Sequence, residues 1–492
     1  MQVFLQSLNP GGRLIEVILL GISLKACFVM WIIARRTKHD DEFADYDDKI
    51  RGGDNRAQHE AVYRRLRNLY LSVYACATFG DWIQGGFLYA LYAEYGYTMR
   101  QIGLIFVVGY GSAATVGTYV SALGDTRGHR RNCVLYGVLY AMSCLLCNFK
   151  SLVPLLLGRL LGGIAYSILY TSFESWLIAE ADAKGLPVSL LARLFSVATF
   201  SNAGSAVIAG MAGHLAVEVI PHTTHNKFAS AFDVAVVVLL LSSVLAAMRW
   251  TERFGSGDGS GRSGSALGSL CDSVRAIRRS RALIFLGLVN SLYEAALYVF
   301  VFLWTPALEA RAALSASRGA PSHGLIFSIF MLSKMAGSQG FHALSARLSP
   351  STILQLVFVG SASCLVSVIL TTSYERALLA FCGFEALLGM YWPAIALLRC
   401  GALDDSSRAS TMAVFRVLLN VLVITLLPFA GGLPEGYAWG LAVGMLLVWC
   451  APQRPTISFC HVPPDAVAHA HARARTHALA ISKDEEPRPP IL

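Results

Sequence analysis

Apolar runs close to the length of a bilayer crossing recur along the whole chain and are separated by short polar stretches. They cover roughly 13–34, 69–92, 101–122, 131–149, 152–174, 193–217, 230–249, 282–304, 323–346, 351–371, 376–399, 409–430 and 433–450. Hydrocarbon offers no partner to a free backbone N–H or C=O, so each run is expected to be a helix. The first run stands apart, behind the polar segment 35–68. The other twelve fall into two sets of six on either side of 250–281. That connection contains Gly255-Ser-Gly-Asp-Gly-Ser-Gly261, a composition expected to be flexible. The pattern therefore predicts an all-α membrane protein in five parts: a first helix with a basic linker (1–68), a six-helix bundle (69–249), a flexible linker (250–281), a second six-helix bundle (282–450) and a polar tail (451–492). Two bundles joined by a linker is the layout of an alternating-access transporter.

Composition agrees with this reading. Of 492 residues, 55% are hydrophobic and 14% are charged, well below the ~25% charged of a soluble domain. The formal charge of +9 does not point to nucleic acid, because the Lys and Arg sit in the connections and largely on one side. They crowd 35–67, 127–131 and 249–281, whereas the other side has only scattered ones such as Arg13, Arg100, Lys150 and Arg376. The positive-inside rule then places the N-terminus outside and the C-terminus in the cytoplasm, with the first helix an uncleaved anchor. The cysteines are scattered through apolar runs. Cys144 and Cys147 read as packing residues rather than a redox or metal pair. No cofactor or metal is implied. The Pro-, His- and Arg-rich tail is expected to be disordered, and His469, His471 and His477 in it are expected to be solvated rather than metal-bound.

Between the second and third of the twelve runs lies Ser121-Ala-Leu-Gly-Asp-Thr-Arg-Gly-His-Arg-Arg131. It resembles the signature loop of the major facilitator superfamily, with Ser121 and His129 departing from the usual pattern. Gly128 allows a tight turn, Asp125 suits a helix N-terminus or an Arg partner, and Arg130 and Arg131 suit the membrane interface. The alternative is an ordinary basic loop. Gly158-Arg159-Leu-Leu-Gly-Gly163 is a second resemblance to the superfamily, and its glycines permit close helix contact. Gly109, Gly111 and Gly117 lie within an apolar helix and read as packing positions rather than a nucleotide loop.

Ionisable groups inside the apolar runs carry the functional signal, since each costs about 2.5–3.5 kcal/mol at the bilayer centre. They are Asp81, Arg159, Glu174, Glu294, Lys334, Glu385 and Arg416. Asp81 and Glu294 lie at matching depth on the first helix of each set and are expected to face one another across the interface. Arg159 and Glu385 lie at matching depth on the fourth helices. Arg416 and Asn420 are one turn apart on one face. Together with Asn202 and Asn290 they outline a polar centre in which Arg159, Arg416, Asn420, Asn202 and Asn290 bind an anion. Asp81, Glu294, Glu385 and Glu174 serve coupling or gating, with protons as the coupling ion. The competing reading is that these charges pair with one another and tie helices together. Lys25, in the first helix, reads as a snorkelling residue.

Three stretches narrow the resemblance: Gly80-Asp-Trp-Ile-Gln-Gly85 with Leu88-Tyr-Ala-Leu-Tyr92, Gly158–Gly163 leading to Ser172-Phe-Glu-Ser-Trp-Leu-Ile178, and Tyr298-Val-Phe-Val-Phe-Leu-Trp-Thr-Pro306. Together they resemble the molybdate-anion transporter family, a branch of the major facilitator superfamily, over about residues 13–450. The resemblance implies the two-bundle fold with an added N-terminal helix and molybdate uptake at the plasma membrane. It also places Asp81, Arg159, Glu174, Glu294, Glu385 and Arg416 on family positions. Lys334, the glycine-rich linker and the His-rich tail depart from it. Spacing does not choose molybdate over sulfate or another tetrahedral anion. A carrier of sugars or other organic solutes, lined by Trp82, Tyr89, Tyr293 and Trp392, and a nontransporting receptor of the same fold remain as alternatives.

Overall fold

The computed structural model describes residues 15–25, 53–220, 226–254, 266–314, 320–345, 347–402 and 408–447. All regular structure among them is helical. A first helix, α1, covers 15–25. The first set of spans comprises α2 (Gly53–Gly85) with the short α3 (Leu88–Glu94), α4 (Met99–Ser112), α5 (Thr118–Arg127), α6 (His129–Leu146), α7 (Leu152–Leu169), α8 (Ser172–Ala183), α9 (Val188–Val219) and α10 (Ala229–Arg249). The second set is preceded by α11 (Ala266–Arg279). It comprises α12 (Arg281–Ala313), α13 (His323–Ser345), α14 (Pro350–Leu370), α15 (Tyr374–Ala402), α16 (Arg408–Ala430) and α17 (Glu435–Leu447).

Several boundaries differ from the apolar runs for local reasons. α2 begins in the polar stretch before residue 69, because the side of the helix that packs inward stays apolar there: Tyr63 and Leu66 are buried. It breaks at Gly85-Gly86, where a Cβ would press on Phe327 of α13 at 3.3 and 3.1 Å. The run 101–122 bends through a π-helical turn, Ala113–Gly117, and then continues as α5. The run 152–174 splits at Tyr170–Thr171, and α8 follows as a separate helix whose Trp176 is fully buried. The linker read as flexible contains α11, and its glycine tract lies outside the described residues. So do the tail 451–492 and the end of the run 13–34. Seven helices among the described residues are long and apolar enough to cross a membrane by length and composition alone. Others fall short because they are brief or more polar, as with the 13-residue α17 and with α6, which opens on His129-Arg130-Arg131.

Small residues set the helix spacing. In the second set, a Cβ on Gly337 would overlap the Ala386 carbonyl and one on Gly389 the Lys334 carbonyl, so α13 and α15 touch backbone to backbone. In the first set, Gly163 approaches the Gly109 carbonyl, and Gly158 stands where a Cβ would lie 3.1 Å from the Ser143 carbonyl. The two sets make close contact at one end. There Gly210 of α9 lies against Gly324 and Ser328 of α13, and the Ser328 hydroxyl donates to the Val207 carbonyl at 2.9 Å. Gly103 of α4 and Gly431, just past α16, make the matching contacts with Leu427 and Met99. Aromatic pairs seal the same end: Phe302 with Tyr89 and Phe106, and Tyr110 with Tyr298 at 4.7 Å between centroids. α1 docks on the second set although it precedes the first in the chain. The Tyr374 hydroxyl donates to the buried Glu16 at 2.5 Å, and Leu19 and Leu20 are buried beside it.

Candidate functional site

Below the closed end, tyrosines and charges from both sets converge. Arg159 of α7 lies with its guanidinium 5.4 Å from the centroid of the Phe106 ring. Gly109 makes room for it, since a Cβ there would come within 2.7 Å of a terminal guanidinium nitrogen. No carboxylate among the described residues lies within 4.0 Å of Arg159, and its Nε is buried without a hydrogen-bond partner. Tyr92, Tyr110, Tyr140 and Cys147 lie within electrostatic range of the guanidinium. A half-buried guanidinium with no counter-charge within reach and a buried, unpartnered Nε is costly unless something else completes it.

The second set contributes Arg416 of α16, which is exposed and yet stands within electrostatic range of Glu294 and Tyr298 on its own side and Tyr166 on the other. The Ser291 hydroxyl donates to the Phe415 carbonyl at 3.1 Å, which fixes α16 against α12 at this level. Tyr166 and Tyr170 are each 44% exposed while facing polar groups of both sets. Asn202 accepts from the Trp82 indole at 2.7 Å through Oδ1, which leaves its Nδ2 as an open donor. Asn290 is buried against Glu294, and its Oδ1 has no partner. Asn420 is half-buried on the helix that carries Arg416.

Asp81 and Glu294, expected to face one another, each have a partner within their own set. The Tyr140 hydroxyl donates to Asp81 at 2.6 Å, and Arg399 donates to Glu294 at 3.3 Å. Glu385 lies deep within the second set, 4% exposed, near Lys334. Glu174 is exposed on α8.

At the opposite end the signature loop is bound into its own set. Gly128 turns with φ 106°, a conformation that favours glycine. Arg130 donates through its backbone N–H to Glu252 at 2.9 Å and pairs with it through Nε at 3.3 Å, and Arg131 approaches the same carboxylate at 3.7 Å. Both were expected at the lipid interface, and Glu252 reaches them because the chain leaving α10 turns back under the loop. The Asp125 side chain lies outside the described residues. Next to this group the buried Glu180 accepts from Thr251 and Arg253 at 2.6 and 2.7 Å, and Trp176 stacks on Trp250 at 3.8 Å. Glu252→Ala is expected to lower stability by about 1–3 kcal/mol, since it strands a backbone donor and a half-buried guanidinium. Arg131→Ala, at a side chain 71% exposed, should change it by under about 0.5 kcal/mol. Thermal unfolding of the two variants in detergent separates these outcomes.

Residues 48–390 match the model of a family described as sugar transporters with twelve membrane spans. The molybdate-anion transporter of Xenopus tropicalis is 30% identical over 371 residues, covering 73% of this chain and 78% of that protein. That of Danio rerio is 30% identical over 394 residues with the same coverage. The chain belongs to the molybdate-anion transporter family of the major facilitator superfamily. Its fold is accordingly shared with solved transporters of that superfamily. The crystal structure of the nucleoside transporter NupG aligns with a TM-score of 0.64 at 12% identity, over 78% of this chain and 98% of that one.

Within this family fold, three features of the site lay outside the reach of the sequence. Arg399 lies near the end of its run, where a basic residue ordinarily marks the interface, and its partner Glu294 is 105 positions away. Glu252 reads as a linker residue. The tyrosines Tyr110, Tyr140, Tyr166 and Tyr298 are spread over four helices, and only their convergence distinguishes them from ordinary packing aromatics.

Proposed function

We propose that the protein is an alternating-access carrier that takes up molybdate, and that the anion sits between Arg159 and Arg416. The observation that carries this reading is Arg159: a guanidinium beneath the meeting point of the two sets, with no carboxylate partner and an unsatisfied donor. A tetrahedral oxyanion supplies what is missing, because its oxygens accept the paired donors of guanidinium groups. Tyrosine hydroxyls and the open Nδ2 of Asn202 complete the donor shell, with Asn290 and Asn420 on the facing helices. The relatives named molybdate-anion transporters support molybdate as the cargo.

The coupling and gating set is Asp81, Glu294, Glu385 and the more exposed Glu174, with protons as the coupling ion. The chain acts at the plasma membrane with its N-terminus outside and its C-terminus in the cytoplasm, which makes the signature-loop end cytoplasmic. In that orientation the end at which the two sets touch faces the outside. The aromatic residues that would line a sugar site are mostly taken up in packing. Tyr293 is buried and stacked on Tyr391 at 3.9 Å, and Tyr89 packs on Phe302. Cells expressing the chain are expected to accumulate molybdenum. Excess sulfate, another tetrahedral dianion, should compete, and sugars should not. Competition by a sugar, or accumulation no greater than in control cells, would remove the anion-carrier reading.

A further inference from the structure

Lys334 and Glu385 lie within electrostatic range of one another inside the second set, on α13 and α15, whose backbones touch where Gly389 meets the Lys334 carbonyl and Gly337 meets Ala386 beside Glu385. Three observations make this pair unusual. No carboxylate lies within 4.0 Å of Lys334 among the described residues, so its charge is balanced at a distance and not by a closed ion pair. Its ammonium lies 6.0 Å from the ring centroid of Trp82, on the first set, and Trp82 is fixed there by its bond to Asn202 and its contact with Phe327. Glu385 is 4% exposed, and one of its oxygens is fully buried with no hydrogen-bond partner. Lys334 thus stands between an under-satisfied carboxylate of its own set and the wall of the anion site on the other.

The charges of the interior add a constraint. With the exposed Glu174 set aside, Asp81, Glu294 and Glu385 stand against Arg159, Lys334, Arg399 and Arg416, one positive charge in excess among these described groups before the anion enters. A dianion reverses this to one negative charge, and a single proton on one carboxylate restores neutrality. Asp81 and Glu294 are held by close partners, Tyr140 and Arg399. Glu385 is the carboxylate without one.

We propose that Lys334 is a third cation of the anion site and that Glu385 is the proton carrier coupled to it. When the anion enters, the ammonium turns from Glu385 toward the cargo. Glu385, left buried without its counter-charge, then takes a proton from the open side and becomes a neutral carboxylic acid. On release of the anion, Lys334 returns and the proton leaves. The proton moves to and from water, and no other bond changes. The titratable groups facing Glu385 are Lys334 from α13, Tyr293 from α12 and Cys382 one turn earlier on α15, with Cys364 of α14 near Tyr293. This inference rests on the anion-carrier reading and assigns its coupling.

The test uses the purified full-length carrier. Adding molybdate to it in weakly buffered detergent solution should draw about one proton from solution per anion bound. In liposomes, an inward proton gradient should accelerate molybdate uptake several-fold. Glu385→Gln should bind molybdate and transport it downhill, but neither take up the proton nor respond to the gradient. Lys334→Ala should raise KM about 10-fold or more and lose proton uptake, while Lys334→Arg should largely retain both. Should Glu385→Gln fail to fold, Glu385→Asp, expected to retain proton uptake, and Lys334→Ala probe the same pair. A merely structural pair would instead let the double variant Lys334→Ala, Glu385→Gln regain gradient-driven uptake. That result, or undiminished proton uptake by Glu385→Gln, overturns the proposal. If the unaltered carrier neither binds nor transports molybdate, the anion reading itself has failed.

Discussion

Replacing Arg159 by Ala is expected to lower molybdate uptake at least about 100-fold while leaving the amount of carrier at the cell surface close to that of the unaltered chain. The size follows from what is lost: two charge-assisted hydrogen bonds at about 1.5–3 kcal/mol each, against ~1.4 kcal/mol per tenfold change. Folding should survive because no counter-charge is stranded. Asp81, the carboxylate in electrostatic range, is held by Tyr140, and Phe106 loses only a cation–π contact. Arg159→Lys keeps the charge but not the planar pair of donors, and should recover only part of the rate. Uptake of labelled molybdate, normalised to surface protein, decides the matter. Full activity in the alanine variant would place Arg159 outside the site.

The second large effect is expected at the closed end. A Cβ on Gly324 would overlap the Gly210 carbonyl and approach the His214 backbone nitrogen at 2.8 Å and the Phe87 ring at 2.9 Å. Gly324→Leu therefore cannot be accommodated while the two sets meet. Overpacking of this kind costs about 1–3 kcal/mol, and here the cost falls on one conformational state. A penalty of that size shifts a two-state equilibrium by roughly 5- to 150-fold. The variant should fold, lose transport and expose the closed end, so that a cysteine introduced at the half-buried Val217 reacts faster with a membrane-impermeant thiol reagent. Gly337→Leu offers the contrast. Its clash with the Ala386 carbonyl lies within the second set, is present in every state, and should reduce folded protein instead. Gly436, with nothing within 4 Å of a Cβ, should tolerate the same change. Wild-type labelling in Gly324→Leu would mean that the end does not open during the cycle.

Much of this molecule was legible in the residues alone, and the reason differs from element to element. The runs around α10, α13 and α14 matched their helices to within about two residues, because nothing but a helix satisfies the backbone in lipid. α2 was harder, since its amphipathic start is half polar and hydropathy alone cannot extend a span into it. The π-turn in the run 101–122 leaves no trace in composition. Arg159 was visible because a buried guanidinium is costly wherever it points.

The sequence by itself determined that the chain is helical and crosses a membrane repeatedly, and that a few charges had to be kept inside. Each of these is a one-body property: the transfer cost of a segment or side chain is set by its own chemistry. Only the tertiary structure decided which of those charges are paired. Glu294 found Arg399 and Arg130 found Glu252, Asp81 took a hydroxyl, and Arg159 was left without a carboxylate partner among the described residues. Pairing is a two-body property fixed by distances of a few ångströms between segments that lie tens to hundreds of positions apart, and helix spacing at glycines such as Gly109 and Gly337 sets those distances.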